Sequence, residues 1–393
     1  MMKYATTSIL ILAVLAGCNK PDSPTIQQQA HQRWYRTRAN VLHGLASEHY
    51  QSGQLDKARA KILEALAMDA DFAPGRTLLG KIYIEQGHYA LAVGELTKAQ
   101  EMMPRSADAL YYLGVAQEKA GQTDAALVSY RRSQELDGTN MAPVIAAAEV
   151  LAGQGKVRQA QLYIESYVDN AGGEPGVFEL AGRLAMMQQE FAKAADYFQQ
   201  AQDLDFDNLG YIESLARAQY FAGRYDLALA NLTHLAAQEG YPLTSSLHAM
   251  LGDCYTARGR IREARDAYMQ AVELDPSNAG AWLNLARSTL TVGDPARAII
   301  AARQALTLDG GSLDATLLLG YALLRDGQVS GSLHLLRPAV DRYPASAELL
   351  CVLGRAHDAA GDQSEAQRCY DAAMQVDPSS VLARELRDNR AAG

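Results

Sequence analysis

Cysteine is scarce in this 393-residue chain, which contains four, and no two of them have CxxC spacing. The eight histidines are scattered, so no cysteine or histidine pair has the spacing typical of a metal site. HExxH, a GxSxG elbow and a Walker loop are also absent from the sequence. We therefore predict a protein that is not an enzyme, with no catalytic residue, no metal site and no cofactor.

An excess of positive charge is also lacking. Asp and Glu number 45 against 36 Lys and Arg, and the formal net charge is −9. Nucleic-acid binding depends on basic surface that neutralises phosphates. The charge balance therefore predicts that nucleic acid is not a partner.

The N-terminus has a short apolar run behind a basic residue. Lys3 precedes the apolar segment Ser8–Val14, which is too short to span a bilayer and is typical of a secretory signal. The segment Leu15–Cys18 resembles a bacterial lipobox, in which the cysteine is lipidated and becomes the mature N-terminus. The alternative is an ordinary signal peptide with a chance cysteine.

The residue after the cysteine is Asn19 rather than the aspartate of an inner-membrane retention signal. The resemblance therefore implies an outer-membrane lipoprotein that faces the periplasm, with its lipid at Cys18 as the membrane contact. A single acyl chain binds membranes only marginally, so the several chains of a bacterial lipoprotein are what make such an anchor stable.

A 34-residue period runs through most of the chain from about residue 39. An interior repeat of this length predicts a stack of helical hairpins rather than one closed globule. A small residue recurs at the same phase of each block, where two helices must approach closely. These residues are Ala46, Gly80, Gly114, Ala148, Gly182, Ala216, Gly252, Ala286, Gly320 and Gly354.

Each block resembles a tetratricopeptide repeat (TPR). The second repeat shows the full pattern, with Gly80, Tyr83, Gly87, Ala92 and Pro104 among its signature positions. This resemblance implies an all-α fold: a right-handed superhelical solenoid of about ten helix-turn-helix repeats, closed by a C-terminal cap helix. It also implies function through surface binding rather than catalysis.

The expected organisation has four segments. Residues 1–17 form the lipoprotein signal peptide, and residues 18–38 form a lipid-anchored tether with a basic and aromatic segment at its end. Residues 39–380 form the TPR array, and residues 381–393 form the capping helix and tail. The ten repeats begin near residues 39, 73, 107, 141, 175, 209, 245, 279, 313 and 347.

Several local features qualify this pattern. A glycine occupies the turn between the two helices of nearly every repeat, but Gln189 stands in that position in the fifth. Two extra residues around Tyr241–Thr244 lengthen the loop before the seventh repeat.

The segment His31–Arg38 is either a membrane-surface contact or a solvated extension of the first helix. Cys351 and Cys369 lie on the two helices of repeat ten, and their pairing is left open.

The binding surface follows from the resemblance. In TPR arrays the first helix of each hairpin lines the concave groove, and positions two, five, nine and twelve point into it. Carried over to this chain, the groove-facing residues are Tyr111 and Glu118 in repeat three; Glu179, Arg183 and Met186 in repeat five; Glu213, Arg217 and Tyr220 in repeat six; Leu283, Arg287 and Leu290 in repeat eight; Leu317, Tyr321 and Leu324 in repeat nine; and Cys351, Arg355 and Asp358 in repeat ten.

Two features of this set have alternative explanations. The pairs Glu179/Arg183 and Glu213/Arg217 form either a charged ladder for a partner or simple i,i+4 helix support. The leucines of repeats eight and nine form either an apolar groove floor or ordinary helix packing. The carboxylate clamp of co-chaperone repeats, a Lys/Asn/Arg set, is absent at the equivalent positions. Arginine and tyrosine over apolar residues suit an extended or helical peptide.

The combined features predict a scaffold that binds envelope proteins or peptides. Lipidated TPR proteins of this type resemble assembly factors of type IV and tight-adherence pili. Alternatives are a scaffold for exopolysaccharide export, which would make polysaccharide a possible ligand, and an adaptor for cell-wall hydrolases. Aromatic platforms for sugar rings are few in the groove set, which favours a protein partner.

Overall fold

The computed structural model describes residues 26–391, and this part of the chain contains α-helices, one 3-10 helix and no strand. The predicted all-α class is confirmed. Cys18 and the signal segment 1–17 lie outside the described residues. No described helix is both long enough and apolar enough to cross a membrane.

The described chain divides into two compact units, with the boundary between Lys156 and Val157. The first unit consists of hairpins α1/α2, α3/α4 and α5/α6, followed by α7. Its helices are α1 (Ile26–Gln51), α2 (Leu55–Met68), α3 (Ala73–Glu85), α4 (Tyr89–Met102), α5 (Ala107–Lys119), α6 (Thr123–Leu136) and α7 (Ala142–Gly153).

The second unit begins with α8 and continues as six hairpins and a final helix. A 3-10 turn at Val168–Asn170 follows α8. The helices are α8 (Val157–Glu165), α9 (Pro175–Met187), α10 (Phe191–Leu204), α11 (Leu209–Phe221), α12 (Tyr225–Ala236), α13 (Ser245–Ala257), α14 (Ile261–Leu274), α15 (Ala279–Thr291), α16 (Pro295–Leu308), α17 (Leu313–Arg325), α18 (Val329–Arg342), α19 (Ala347–Ala359), α20 (Gln363–Val376) and α21 (Val381–Ala391).

The first helix of most hairpins starts at a residue that caps it. A Ser, Asn or Thr side chain accepts a hydrogen bond from a backbone N–H of the first turn, which would otherwise have no partner. These caps fix where the first helices begin. The capping residues are Ser106, Asn208, Thr244, Asn278, Ser312 and Ser346.

The recurring small residue is where the two helices of a hairpin touch. A Cβ placed on Gly182 would lie 2.8 Å from the ring of Phe198, and one on Gly252 would lie 2.4 Å from the ring of Tyr268. Both distances are too short for carbon atoms in contact. Glycine at this position therefore lets a large side chain of the second helix lie directly on the backbone of the first.

The interhelical turns need a left-handed backbone. The turn glycines have positive φ values between 70° and 92°, as at Gly53 and Gly293. Gln189 adopts a φ of 60° in the same turn of the fifth repeat, and it is the non-glycine residue with positive φ in the described chain. The extra residues before repeat seven lie in the segment between α12 and α13.

The N-terminal helix begins earlier than the predicted tether allows. The expected tether extends to residue 38, whereas α1 already begins at Ile26. The glutamine run 27–29 follows the last proline of the tether, Pro24, and has nothing that opposes helix formation. His31–Arg38 is therefore an exposed part of α1, and contact of this segment with a membrane surface stays a prediction.

The last helix covers the end of the second unit. Ala383 of α21 is fully buried and packs in one cluster with Leu350 and Cys351 of α19. Cys351 and Cys369 are both buried and both free, as is Cys254. Burial raises the pKa of the Cys351 thiol to about 11, which keeps it protonated at neutral pH.

Candidate functional site

The candidate site is the first-helix face of the second unit, which we define by position nine of each repeat. Position nine follows the buried small residue, so it is turned away from the hairpin contact and towards solvent. The side chains at this position are exposed or half-buried. In chain order they are Arg183, Arg217, Asp253, Arg287, Tyr321 and Arg355.

The two predicted Glu/Arg pairs are present. Arg183 Nη1 lies 3.5 Å from Glu179 Oε1, and Arg217 Nη2 donates to Glu213 Oε1 at 2.6 Å. Each pair joins residues one helical turn apart, at i and i+4. In both, the arginine charge is matched by a carboxylate of its own helix.

Glu213 has a second partner that the helical spacing does not reveal. Tyr241, in the segment between α12 and α13, donates a short hydrogen bond from its hydroxyl to Glu213 Oε2. Burial alone would raise the pKa of Glu213, but the bonds from Tyr241 and Arg217 outweigh it and lower the pKa. The Glu213/Arg217 pair therefore anchors a loop as well as supporting its own helix.

Asp253 joins three repeats by hydrogen bonds. Tyr220 of repeat six donates to Oδ2 at 2.5 Å, while Tyr268 of repeat seven and Asn284 of repeat eight donate to Oδ1 at 2.7 Å and 3.2 Å. Burial and the bond to the carboxylate raise the pKa of both tyrosines, so both hydroxyls stay protonated donors. Tyr220, predicted to face a partner, is half-buried, and its hydroxyl links α11 to α13.

Asp253 is missing from the residues predicted above. It occupies position nine of repeat seven, and the rule that selected its counterparts in the adjacent repeats selects it too. Its place on this face could have been predicted from the sequence by applying that rule to every repeat. Its hydrogen bonds to Tyr220 and Tyr268 could not have been predicted, because they depend on the side-chain directions in the folded repeats.

A cavity of about 490 Å³ opens beside Asp253. Its lining comes from helices α11 to α15 and is mixed, with hydroxyl, carboxylate, amide and guanidinium groups beside apolar side chains. Arg287 is the cationic side chain of this lining. The lining residues are Tyr220, Tyr225, Asp253, Thr256, Ala257, Ile261, Tyr268, Asn284, Arg287, Ser288 and Thr291.

Tyr321 lies between Arg325 of its own helix, α17, and Arg355 of α19. The guanidinium carbon of Arg355 lies 5.0 Å from the centre of its ring, and that of Arg325 lies 6.0 Å away. Arg325 Nη1 also donates to the Tyr321 hydroxyl at 3.4 Å. The bond from Arg325, assisted by the charge of Arg355, lowers the pKa of Tyr321 even though burial opposes it.

The apolar groove floor predicted for repeats eight and nine is not a free surface. Leu290 is buried in the cluster around Leu285 and Ala302. Leu317 and Leu324 are partly buried and pack against a separate cluster formed by residues of repeats nine and ten. These three leucines therefore contribute to helix packing, whereas Leu283 is half-buried and belongs to neither cluster.

Tyr111 lies in the first unit, apart from the residues described so far. Its half-buried ring contacts Tyr112 edge-on at 5.1 Å and Tyr130 at 5.9 Å between centroids. Burial raises the pKa of Tyr111. Because two neighbouring rings already cover it, the structure gives Tyr111 a packing role within repeat three.

Among residues 26–391, no group of three or more His, Cys, Asp or Glu side chains is arranged to hold a metal ion. The chemistry of the face is therefore that of hydrogen-bond donors, arginine charges and tyrosine rings. Such groups bind and orient another molecule.

Comparison with known families identifies the repeat. A tetratricopeptide repeat model matches residues 43–93, 77–140, 145–207, 283–347 and 317–379, and a second TPR model matches residues 252–289. The first model alone covers more than half of the chain. The chain belongs to the tetratricopeptide repeat family.

Curated relatives share part of this array. Tetratricopeptide repeat protein 16 of Mus musculus is 30% identical over 148 residues, which are 35% of this chain and 19% of that protein. Cellulose synthase 2 operon protein C of Komagataeibacter xylinus is 30% identical over 219 residues, which are 51% of this chain and 16% of that protein. The chain thus covers less than a fifth of either relative.

Solved structures share the fold. PilW, described as a widely conserved type IV pilus biogenesis factor, is 18% identical, with 52% of this chain and 94% of that chain covered and a TM-score of 0.46. This similarity concerns the TPR fold alone. TPR domains mediate protein–protein interactions and are generally non-catalytic scaffolds.

Proposed function

We propose that this TPR protein is a lipid-anchored scaffold of the bacterial envelope, held at the outer membrane and facing the periplasm. On its first-helix face it binds partner proteins and helps them assemble into an envelope machine such as a type IV or tight-adherence pilus or a secretion system. The observation that carries this proposal is the alignment of arginine and tyrosine at position nine in repeats five, six, eight, nine and ten, with Asp253 in repeat seven. Arginine and tyrosine dominate protein interfaces.

The position-nine face favours a protein over a sugar. Sugar rings are bound by broad exposed aromatic faces, whereas Tyr220 and Tyr321 are engaged by Asp253 and by two arginines. Guanidinium groups match carboxylates and backbone carbonyls of a polypeptide. A peptide segment laid across repeats five to ten would meet a position-nine donor in every repeat except the seventh, where Asp253 is an acceptor.

A scaffold for exopolysaccharide export is the second candidate. It is favoured by the relative from Komagataeibacter xylinus, which is named for a cellulose synthase operon and is 30% identical over 219 residues. In that role the array would bind proteins of an export complex or touch the polysaccharide. The two candidates share the anchor and the repeat scaffold and differ in the ligand of the first-helix face.

The anchor is tested at Cys18. Cys18→Ser removes the thiol that lipidation requires, so we expect the variant to leave the membrane fraction or to accumulate unprocessed. Detergent-phase partitioning of cells that express wild type or variant measures this directly. Cys254→Ser, a change at a buried cysteine within the repeats, is the control and should stay with the membrane. An unchanged membrane pool for Cys18→Ser would refute the lipid anchor.

The ladder is tested by reversing its charge. Arg183→Glu with Arg217→Glu places like charges beside Glu179 and Glu213, and we expect loss of the crosslinked partner in the native host. The matched control is Arg158→Glu with Arg224→Glu, which breaks ion pairs to Glu190 and Asp196 away from position nine. Both variants must retain wild-type helicity by circular dichroism. If the position-nine variant still crosslinks to the full set of partner proteins, the two Glu/Arg pairs only support their own helices.

A further inference from the structure

Three arginines of repeats eight to ten differ from most arginines of the second unit. Arg287, Arg325 and Arg355 are exposed, and none of them has a carboxylate within 4.0 Å among the described residues. Together with Tyr321 we call them the arginine–tyrosine cluster. The inference about their ligand rests on the proposed function, in which this face binds a partner protein.

The same face is neutralised two repeats earlier. Arg183 and Arg217 each have a glutamate of their own helix within 3.5 Å. The corresponding residues four positions before Arg287 and Arg355 are Leu283 and Cys351, which carry no charge. The chain as a whole is acidic, with a net charge of −9, so unmatched cations in adjacent repeats are a local departure from its composition.

The cluster is held in place by its tyrosine. Arg355 and Arg325 approach the Tyr321 ring at 5.0 Å and 6.0 Å, and Arg325 donates to its hydroxyl. Like charges near one ring repel each other, and an anion between them would remove that repulsion. The ring limits the positions of both guanidinium groups, which reduces the entropy lost when they bind.

The remaining arginine lies at the edge of the 490 Å³ cavity. The carboxylate in that cavity, Asp253, already accepts three hydrogen bonds, from Tyr220, Tyr268 and Asn284. Arg287 remains as the charged donor towards an incoming group, since the Thr291 hydroxyl already donates to the Arg287 carbonyl oxygen. The three groups that donate to Asp253 are neutral and Asp253 keeps its negative charge, so an acidic side chain would enter on the Arg287 side of the cavity, where the guanidinium attracts it.

We propose that the arginine–tyrosine cluster recognises an acidic segment of a partner protein, with one carboxylate at Arg287 and others between Arg325 and Arg355. Each carboxylate would receive a charge-assisted hydrogen bond from a guanidinium group. A polypeptide is favoured over an acidic polysaccharide because the cluster offers a single half-buried ring and no open aromatic platform for sugars.

The test uses the full chain with Cys18→Ser and a short fluorescent peptide rich in glutamate. We expect saturable binding by anisotropy that weakens with added salt, and no binding of the same peptide with glutamine at every glutamate. Arg287→Gln with Arg355→Gln should weaken binding by about tenfold per arginine removed. The matched control, Arg262→Gln with Arg303→Gln, makes the same charge change on second helices and should bind like the parent chain.

Each other outcome overturns the proposal. Equal weakening in the two double variants would mean attraction to charge in general. Preference for oligogalacturonate over the peptide would assign the cluster to an acidic polysaccharide. If the peptide does not bind at all, the cluster does not recognise an acidic ligand. Tyr321→Phe keeps the ring and removes the hydroxyl, and we expect it to weaken binding less than the arginine changes do. It provides a second measurement of the cluster in case the double arginine variant misfolds. If the peptide fails while the first-helix face still crosslinks to a protein in the host, the scaffold function stands and this inference alone is wrong.

Discussion

At the scale of single residues, small side chains decide where helices meet. Gly80 lies on α3, where an added Cβ would be 2.4 Å from Leu96 Cγ of α4. Gly94 lies on α4 of the same hairpin, and a Cβ there would meet nothing within 4 Å. Two glycines in one repeat thus have opposite physical roles, although each lies in the interior of a helix.

This contrast predicts opposite effects of one substitution. Gly80→Ala overpacks the hairpin and should destabilise it by about 1–3 kcal/mol. Gly94→Ala removes a flexible residue from an exposed helix surface and should stabilise the hairpin by about 0.5–1 kcal/mol. Hydrogen exchange of α3 and α4 measures both, because loss should concentrate near the altered repeat. Equal exchange in the two variants would contradict the assigned contact.

The periodicity of the sequence was sufficient to predict this residue pattern. Position eight had to be small and the turn position had to tolerate positive φ, and both Gly182 and the exceptional Gln189 behave so in the structure. The direction of individual side chains was not predictable in the same way. Tyr111, Tyr220 and Arg183 all occupy positions predicted to face the groove. Tyr111 nevertheless packs against two tyrosine rings and Tyr220 donates to Asp253, because a long aromatic side chain can reach a partner on an adjacent helix.

At the scale of elements, the loop between α12 and α13 is attached to α11. The bond from Tyr241 to Glu213 links the insertion at the end of repeat six to the first helix of the same repeat. The position of the insertion was visible in the sequence, since it interrupts the 34-residue period. Its attachment was not, because the phase break says nothing about where a lengthened loop folds back.

Tyr241→Phe tests this attachment. The folded-state pKa of Glu213 is depressed, so its stabilising contribution is present above the ordinary glutamate value of 4.5 and is lost as pH falls through the lowered value. We expect Tyr241→Phe to cost about 1 kcal/mol near neutral pH and less once Glu213 is protonated. The measurement is urea unfolding of both chains over a range of pH. Tyr225→Phe, which removes an exposed hydroxyl, should show no such pH-dependent difference; a constant cost for Tyr241→Phe at every pH would disprove the link to the carboxylate.

At the scale of the whole molecule, charge is distributed unevenly over an acidic chain. Repeats five and six match the position-nine arginine with a glutamate of the same helix, whereas Arg287, Arg325 and Arg355 on the first helices of repeats eight to ten have no carboxylate within 4.0 Å among the described residues. The fold follows from the repeat pattern, and the chemistry follows from the few positions that the pattern leaves variable. In the proposed function, a scaffold of this kind binds its partner through position nine while the small residues beside it let the helices of each hairpin pack closely.

Photocrosslinking in the native host tests most directly whether a partner protein binds on the first-helix face. A photoreactive amino acid at Thr291, on the first-helix face, is compared with one at Ile300, which is 66% exposed on the second helix of the same repeat. The account predicts a discrete protein adduct from position 291 and none from position 300. The same adduct from both positions, or an adduct from position 300 alone, would contradict binding on the first-helix face.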